Sequence, residues 1–369
     1  MRVLVVNAGS SSVKLSVIGS DDATVAAHEL AAPRADVDEE ELRAAIAEAR
    51  LGEVDVVGHR IVHGGERFRE PVVIDDAVES GLRDLVALAP LHQPKSLAAL
   101  DAVSAALPGL PAVACFDTAF HATLPAAAHT YALPAAWRRR WGVRRYGFHG
   151  LSHAWVARRA PELLGGGHLG GLRIVSCHLG AGASLCAIRG GDSLDTTMGF
   201  TPLEGLVMAT RSGSVDPGLL LWLMEQTGMA ERELARALEH ESGLLGLGGS
   251  ADMRHILARA GDGDDSARLA LDVYLHRLRA GIAAMSAALN GLDALVFTGG
   301  VGEHSPDIRS GAVEGSEFLG VAIDDHLNAG DEADDREITG AGARARVLVI
   351  QAREDLEIAR QARAVLRAA

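Results

Sequence analysis

The chain has 369 residues, enough for two domains with cores of their own, and a formal net charge of -14. That charge argues against nucleic acid or an anionic membrane surface as the main partner, and leaves local nucleotide binding open. The composition is 48% hydrophobic but only 4% aromatic, so the core is built from Ala, Val and Leu.

The first stretch sets the pattern. Val3 to Val6 is a short apolar run that reads as a buried strand. It breaks at Asn7-Ala8-Gly9-Ser10-Ser11-Ser12. Alternation then resumes, with Val13, Leu15 and Val17 on one face and Lys14 and Ser16 on the other. A turn of small hydroxyl residues with free N–H groups and a nearby lysine can close around phosphate oxygens. An ordinary Ser/Gly hairpin turn has the same composition.

Further along, Thr24 to Leu30 reads as a third strand, and Asp36 to Arg50 as a helix with acids early and arginines late. Val54 to Val57 is a buried strand running into Gly58-His59-Arg60-Ile61-Val62-His63-Gly64-Gly65. Helices are expected over about Asp75 to Leu88 and Pro94 to Leu107. A strand at Ala112 to Phe116 ends in Asp117-Thr118. Strands alternating with helices give an α/β class, with function at the carboxyl ends of strands.

From Ala122 the texture changes. Leu133 to Gly150, dense in Trp, Arg, Pro and Gly, reads as an irregular crossing into a second domain. Helices are expected at Pro217 to Gln226, Ala230 to Leu238, Asp252 to Ala260 and Asp264 to Asn290. The last contains Gly281 and is open to being two pieces. A strand at Leu292 to Phe297, another at Val347 to Ile350 and a helix from Glu354 to Leu366 close the chain. Ile174 to Ile188 repeats the opening as strand, tiny-residue turn and strand, with Gly9 against Gly180 and Asn7 against His178. Two such units, one near the start of each half, suggest a duplicated fold. Phe297 to Glu303 is a third glycine-rich strand end, offering N–H donors and close approach for a flat ligand.

The Walker A pattern and the dinucleotide GxGxxG pattern are both absent, as are HExxH and CxxC. Cys115, Cys177 and Cys186 sit in apolar runs without metal-ligand spacing and read as buried free thiols of a reducing cytosol. No run approaches the ~20 apolar residues that span a bilayer. The apolar first strand has neither a basic leader nor a cleavage-site pattern, so no signal peptide is expected.

Among charged residues, Arg60 and Arg211 are flanked by glycines and small residues, a setting that points a guanidinium into a cleft or into a structural ion pair. The run Arg138, Arg139, Arg140, Arg144 and Arg145 reads as a solvated face. Asp117 at a strand end suits a metal, a proton or a turn cap. His92, His121, His149 and His178 lie at element ends, where functional and structural readings both stand.

Taken together, VNAGSSSVK (6–14), GHRIVHGG (58–65), LAPLHQP (88–94), FDTAFH (116–121), RRYGFHG (144–150), HLGAGAS (178–184), DTTMGFTPLEGLVMATRSG (195–213), ADMR (251–254) and FTGGVGE (297–303) resemble the acetate kinase family. This family belongs to the acetate and sugar kinase, heat-shock chaperone and actin superfamily. The likeness covers nearly the whole chain, in order. It implies a duplicated two-domain actin-like (ribonuclease H-like) α/β fold with an interdomain active-site cleft. A first domain over 1–121 plus 352–369 would bind phosphate and acyl groups. A second over 122–351 would bind nucleotide and form a homodimer. The implied activity is reversible in-line transfer of the ATP γ-phosphate to acetate, with Mg²⁺ or Mn²⁺, in the cytoplasm, with neither nucleic acid nor membrane as partner.

By the same resemblance, Asn7 and Glu354 sit near the metal, and Ser10, Ser12 and Lys14 around the transferred phosphate. Arg60 and Arg211 bind carboxylate and phosphoryl oxygens, His149 steadies the transition state, and Asp117 holds the metal or Arg60. Val62, Leu91, Phe148 and Pro202 form the methyl pocket, with His92 nearby. His178, Gly180 and Gly182 line the phosphate path, and Asp252, Arg254 and Gly300 the adenosine site. The chain departs from the family at Ala181 and His304, where asparagines are usual, and at Ser214, where aspartate is. It departs again at Ala352-Arg353-Glu354-Asp355, and it is shorter than a typical member. Ala181 implies a weaker or relaxed grip on nucleotide. Propionate or butyrate as substrate, or a non-catalytic actin-like or chaperone-like nucleotide binder, are the alternatives.

Overall fold

A computed structural model describes residues 1–9, 12–31, 44, 54–88, 93–166, 171–330 and 334–368. The helix expected over 36–50 lies outside the described residues except at residue 44, which is helical. The chain separates into two compact units. Unit 1 is Met1–Ala122 with Phe148–Trp155 and Arg353–Ala369; unit 2 is Thr123–Gly147 with Val156–Ala352.

Unit 1 is built on six strands: β1 (Val3–Ala8), β2 (Ser12–Ile18), β3 (Thr24–Ala31), β4 (Val56–Ile61), β5 (Val72–Val73) and β6 (Ala112–Phe116), in the order β3-β2-β1-β4-β6-β5. β1, β2 and β3 form an antiparallel meander, while β1, β4 and β6 run parallel. β1 is apolar at successive positions because both faces are covered. Leu4 and Val6 pack with Ala99, Ala102 and Val103 of the helix Gln93–Ala106. Val3 and Val5 pack with Ile358, Ala359 and Ala362 of the helix Glu354–Ala368. Each fully buried aliphatic side chain contributes roughly 1.5–3 kcal/mol. The closing helix belongs to this unit because its apolar stripe completes the second face of the sheet.

Unit 2 repeats the plan with β7 (Arg173–Leu179), β8 (Ala183–Arg189), β9 (Asp192–Thr196), β10 (Ala294–Thr298), β11 (Arg336–Glu337) and β12 (Arg346–Val349), ordered β11-β12-β10-β7-β8-β9. β7 is antiparallel to β8 and β8 to β9; β7, β10 and β12 are parallel; β11 is antiparallel to β12. Read from β9, the order and directions match those of unit 1 read from β3. The duplication expected from the two turns therefore extends through both sheets.

Most expected elements are present with ends shifted by a residue or two. The helix Asp265–Ala288 is a single helix, capped by the Asp264 carboxylate on the N–H groups of Ser266 and Ala267. Gly281 does not divide it. A Cβ there would lie 2.7 Å from Leu185 Cδ1, so this glycine serves close packing on β8. The segment read as irregular contains a helix at Ala135–Trp141 and leads into the helix Gly150–Leu163. Pro134 precedes the first of these, and a left-handed Gly142 ends it.

Candidate active site

In unit 1, β1, β4 and β6 run in the same direction and finish at one edge of the sheet. Asn7, Arg60 and Asp117 lie at those carboxyl ends, and Glu354 opens the closing helix. The four side chains form one network. Arg60 Nη2 and Nε donate to Asp117 Oδ2 at 2.6 and 3.2 Å, and Nε also to Oδ1 at 3.1 Å. Arg60 Nη1 donates to Asn7 Oδ1 at 3.1 Å, and Asn7 Nδ2 donates to Glu354 Oε2 at 2.8 Å. The Asp117 side chain is 1% exposed and that of Arg60 13%. Burial by itself would depress the Arg60 guanidinium, but Asp117 and Glu354 outweigh it and hold the pKa above the ordinary arginine value. Burial pushes the Asp117 carboxyl up, with Arg60 pulling the other way. A buried carboxylate forked to a guanidinium fixes the orientation of that arginine.

His149 adjoins this network through the main chain. Gly150 N donates to the Asp117 carbonyl at 2.9 Å, and a Cβ at Gly150 would lie 2.1 Å from that oxygen. His149 itself has φ of 56°, a left-handed conformation costing a non-glycine residue about 1–3 kcal/mol. Its carbonyl accepts from His153 N in the first turn of the helix Gly150–Leu163. Phe148 and Val62 are buried in the same unit, and the Phe148 carbonyl accepts from His121 Nε2 at 3.0 Å. Lys14 is exposed on β2, in register with Asn7. Ser12 begins β2; Ser10, Leu91 and His92 lie outside the described residues.

Unit 2 offers a cavity instead of a network. Its volume is about 840 Å³, and Gly180, Ala181, Asp252, Arg254, Tyr274 and Gly300 are among its walls. Gly180 and Gly182 form the turn after β7, closed by Gly180 N to the Gly182 carbonyl at 3.0 Å, and His178 is half-buried near the end of β7. The helix Gly299–His304 starts directly at the end of β10. Gly299 has φ of +78°, and a Cβ there would meet the Leu179 carbonyl oxygen at 2.8 Å. A Cβ at Gly300 would meet nothing within 4 Å, so that side of the turn is open for a ligand. Asp252 caps the helix Met253–Gly261 and is forked by Arg254 at 3.0 and 2.6 Å. Those hydrogen bonds bring its carboxyl down to about 2.

Arg211 sits on a different loop of unit 2. Its Nη1 donates to the carbonyl of the buried Pro202 at 2.9 Å, and its Nε lies 3.8 Å from Glu239 Oε2. Burial lowers its pKa and Glu239 only partly offsets this. Ser214, at the departure from the family pattern, closes this loop by bonding Gly205 through both main chain and side chain.

The arginine run is not uniformly solvated, contrary to expectation. Arg145 donates to Glu204 at 2.7 Å and to the carbonyls of Thr197 and Met198. Three acceptors converge there and offset the cost of desolvating the guanidinium. Sequence reading missed Tyr274 as a cavity wall. It lies on the long helix among core residues, and its spacing is that of an apolar stripe. Burial pushes its phenol pKa up.

Glu354 offers a carboxylate beside the Asn7 amide, whose Nδ2 donates to Oε2 while its Oδ1 accepts from Arg60 Nη1. Magnesium typically takes one or two carboxylates from protein when substrate phosphates and water supply the rest, so the Glu354 carboxylate, steadied by Asn7, fits a nucleotide-bound metal. Among the described residues there is no cluster of three or more His, Cys, Asp or Glu side chains able to hold a metal by itself.

Known proteins resemble this chain in sequence and in fold. The acetokinase family model matches residues 25–360. An acetate kinase of Gloeobacter violaceus is 51% identical over 311 residues, covering 84% of this chain and 76% of the relative. One of Shouchella clausii is 42% identical over 390 residues, covering 97% and 98%. Among solved structures, Porphyromonas gingivalis acetate kinase matches with TM-score 0.90 at 36% identity, covering 99% of both chains. A propionate kinase from Francisella tularensis matches with TM-score 0.91 at 34% identity, again over 99% of both. A chain matched over this length, in sequence and in fold, belongs to the acetokinase family.

Proposed function

We propose that the protein is a reversible short-chain carboxylate kinase that transfers the γ-phosphoryl group of ATP directly to acetate, giving acetyl phosphate and ADP. The observation that carries this reading is the Arg60–Asp117 fork at the carboxyl ends of the parallel strands, joined through Asn7 to Glu354. Acetate is ionised at neutral pH, so no strong base is needed. The difficulty is bringing one anion up to another. At 4 Å two unit charges repel by about 1 kcal/mol in water but about 4 kcal/mol at an effective dielectric of 20. Arg60, held by Asp117, binds the acetate carboxylate, and Arg211 meets the phosphoryl oxygens. His149 donates to charge developing in transfer, and Lys14 with Ser10 and Ser12 holds the transferred phosphate. His178, Gly180 and Gly182 guide the phosphate chain, and Asp252, Arg254 and Gly300 hold the nucleoside in the unit 2 cavity. Asn7 and Glu354 would hold Mg²⁺ or Mn²⁺, which when bound supplies positive charge to the polyphosphate.

Propionate is the second reading, favoured by the near-equal match to a propionate kinase. Val62, Leu91, Phe148 and Pro202, with His92 nearby, would line the acyl pocket in either case. A non-catalytic actin-like or chaperone-like nucleotide binder would have no use for a buried guanidinium fork at this strand edge. The deciding experiment supplies MgATP with acetate, propionate and butyrate in turn and traps acyl phosphate as hydroxamate. Absence of product with every acid would sink the kinase reading.

The domain roles follow the same proposal: phosphate and acyl binding by unit 1, nucleotide binding by unit 2. Unit 2 is also where a homodimer would form. The helix Pro217–Thr227 supports this, because Leu219, Leu221 and Trp222 on it are 46%, 69% and 55% exposed. Light scattering of the purified protein tests it, and a monomer at micromolar concentration would refute it. A cytoplasmic setting suits Cys115, Cys177 and Cys186, all free and buried. Among the described residues, no helix is long and apolar enough to cross a membrane.

A further inference from the structure

Glu303 has no role in the reading above, yet its carboxylate holds two separate pieces of main chain. Oε1 accepts from Gly299 N at 2.7 Å and from Ala352 N at 2.9 Å. Gly299 begins the turn whose next residues, Gly300 and Val301, line the unit 2 cavity. Ala352 is the last residue of unit 2, two residues before Glu354.

The surroundings extend this construction. Ile350 N donates to the Phe297 carbonyl at 2.9 Å, and Gln351 N to Asp335 Oδ1 at 2.9 Å. Asp335 Oδ2 is itself held by Arg159 Nε at 2.6 Å. The N–H groups of residues 350, 351 and 352 are thus taken in succession by acceptors of unit 2. Behind the turn, the fully buried Arg309 donates to the carbonyls of Gly302 and Glu303 at 2.9 and 2.7 Å. The main chain of Glu303 is therefore fixed as firmly as its side chain, and Oε1 has little freedom to move without releasing one of its donors.

We propose that Glu303 is a positioning residue that couples nucleotide occupancy at the Gly299-Gly300 turn to the placement of Glu354. A ligand that orders Gly300 orders Gly299 N, and through one carboxylate oxygen the same order reaches Ala352 and the residues that follow it. Removing a shared acceptor releases both donors together. The proposal rests on the nucleotide reading of the cavity and the metal reading of Glu354, and the test separates all three.

The test measures binding of a fluorescent methylanthraniloyl-ADP to the full chain, once in EDTA and once with Mg²⁺. The proteins are wild type, Glu303→Ala, Glu303→Gln, Glu303→Asp and Glu354→Ala. Wild type is expected to bind, and Mg²⁺ to tighten binding; Glu354→Ala is expected to lose that tightening alone. Glu303→Ala is expected to weaken binding in EDTA roughly tenfold and also to lose most of the Mg²⁺-dependent gain. Glu303→Gln keeps an oxygen in the same place and should stay within about threefold on both measures. Glu303→Asp keeps the charge but draws the oxygen back, and should resemble Ala. If Glu303→Ala does not fold, the Gln and Asp pair decides the matter. Wild-type values in Glu303→Ala or Glu303→Asp, or Gln as damaging as Ala, would overturn the proposal. No binding to wild type would instead overturn the nucleotide reading. A full Mg²⁺ gain in Glu354→Ala would overturn the metal reading.

Discussion

The two sheets share strand order and direction, but their carboxyl ends are finished in opposite ways. In unit 1 the edge carries a satisfied ionic network, in which Arg60 is forked by Asp117 and tied to Asn7. In unit 2 it opens into a cavity of about 840 Å³ walled by small and larger apolar residues, Leu244, Met253 and Leu257 among them, with a few polar groups. The two arginines express the same contrast. Arg60 is held so that its charge is reinforced, whereas Arg211 has one carbonyl and a carboxylate at 3.8 Å, and its charge is destabilised by burial. A duplicated frame thus fixes where strand ends lie, and the residues just beyond them decide the chemistry. Arg60 is preorganised, whereas an anion bound at Arg211, as proposed, would supply charge compensation that Glu239 gives only in part.

The sharpest way to break this comparison is to remove each arginine. Arg60→Ala and Arg211→Ala should each lower kcat by roughly 10³–10⁵ in the hydroxamate assay, and near-wild-type turnover in either would end its assigned role. The lysine variants separate the two. Arg60→Lys should be nearly as poor as Ala, since an ammonium cannot fill the fork of Asp117. Arg211→Lys should recover a measurable part of the rate. Equal behaviour of the two lysine variants would erase the distinction between a forked arginine and one held by a single carbonyl.

Next in size is Asp117→Asn, which keeps an acceptor but removes the charge. It should reduce kcat/KM for acetate roughly 10–100-fold while leaving ADP affinity unchanged. Loss of ADP binding in this variant would show that Asp117 serves more than Arg60.

A pH experiment probes unit 1 by another route. Burial holds the imidazoles of His59 and His63 at about 3 and about 4. Histidine in the unfolded chain titrates near 6.5. As pH falls below that value, the unfolded state binds protons that the folded state refuses. Their contribution is therefore fully present above about pH 6.5 and is lost as pH falls toward the folded values, on the order of 1.4 kcal/mol per pH unit for each histidine. Urea unfolding between about pH 6.5 and pH 4.5 should show that slope, and His59→Phe should remove about half of it. An unchanged slope would mean that His59 is protonated in the folded state.

The smallest effect is expected at Ala181, an exposed wall of the cavity. Ala181→Asn restores the amide usual in the family. One added hydrogen bond should tighten ADP roughly 2–10-fold. No gain would show that main-chain N–H groups of the turn already satisfy the phosphates.

Much of this was legible in the residue order. The alternation of Val13, Leu15 and Val17, the apolar runs at Val3–Val6 and Ala112–Phe116, and the echo at His178–Ser184 read directly as strands and paired turns, because side-chain period and small-residue breaks are local properties. The motifs around Arg60, Asp117 and Arg211 carried the family. Other features were not local. Arg145 reads as part of a charge run, and only folding brings Glu204 and two carbonyls to it. Gly281 leaves open whether the long helix is one piece or two, and Leu185 makes it a packing contact within one helix. Tyr274 reads as core until a cavity opens beside it.

The sequence by itself determined the class of fold, its duplication, the positions of the strand ends and the kinds of charged group waiting there. Hydrophobic period and backbone chemistry act over a few residues, so those features are written in short stretches. Tertiary structure alone decided which charges are paired. Asn7, Arg60, Asp117 and Glu354 are scattered along the chain, and Glu303 meets Ala352 across 49 positions. Whether a guanidinium is reinforced or destabilised depends on distances of 2.6 against 3.8 Å, which only the folded chain sets.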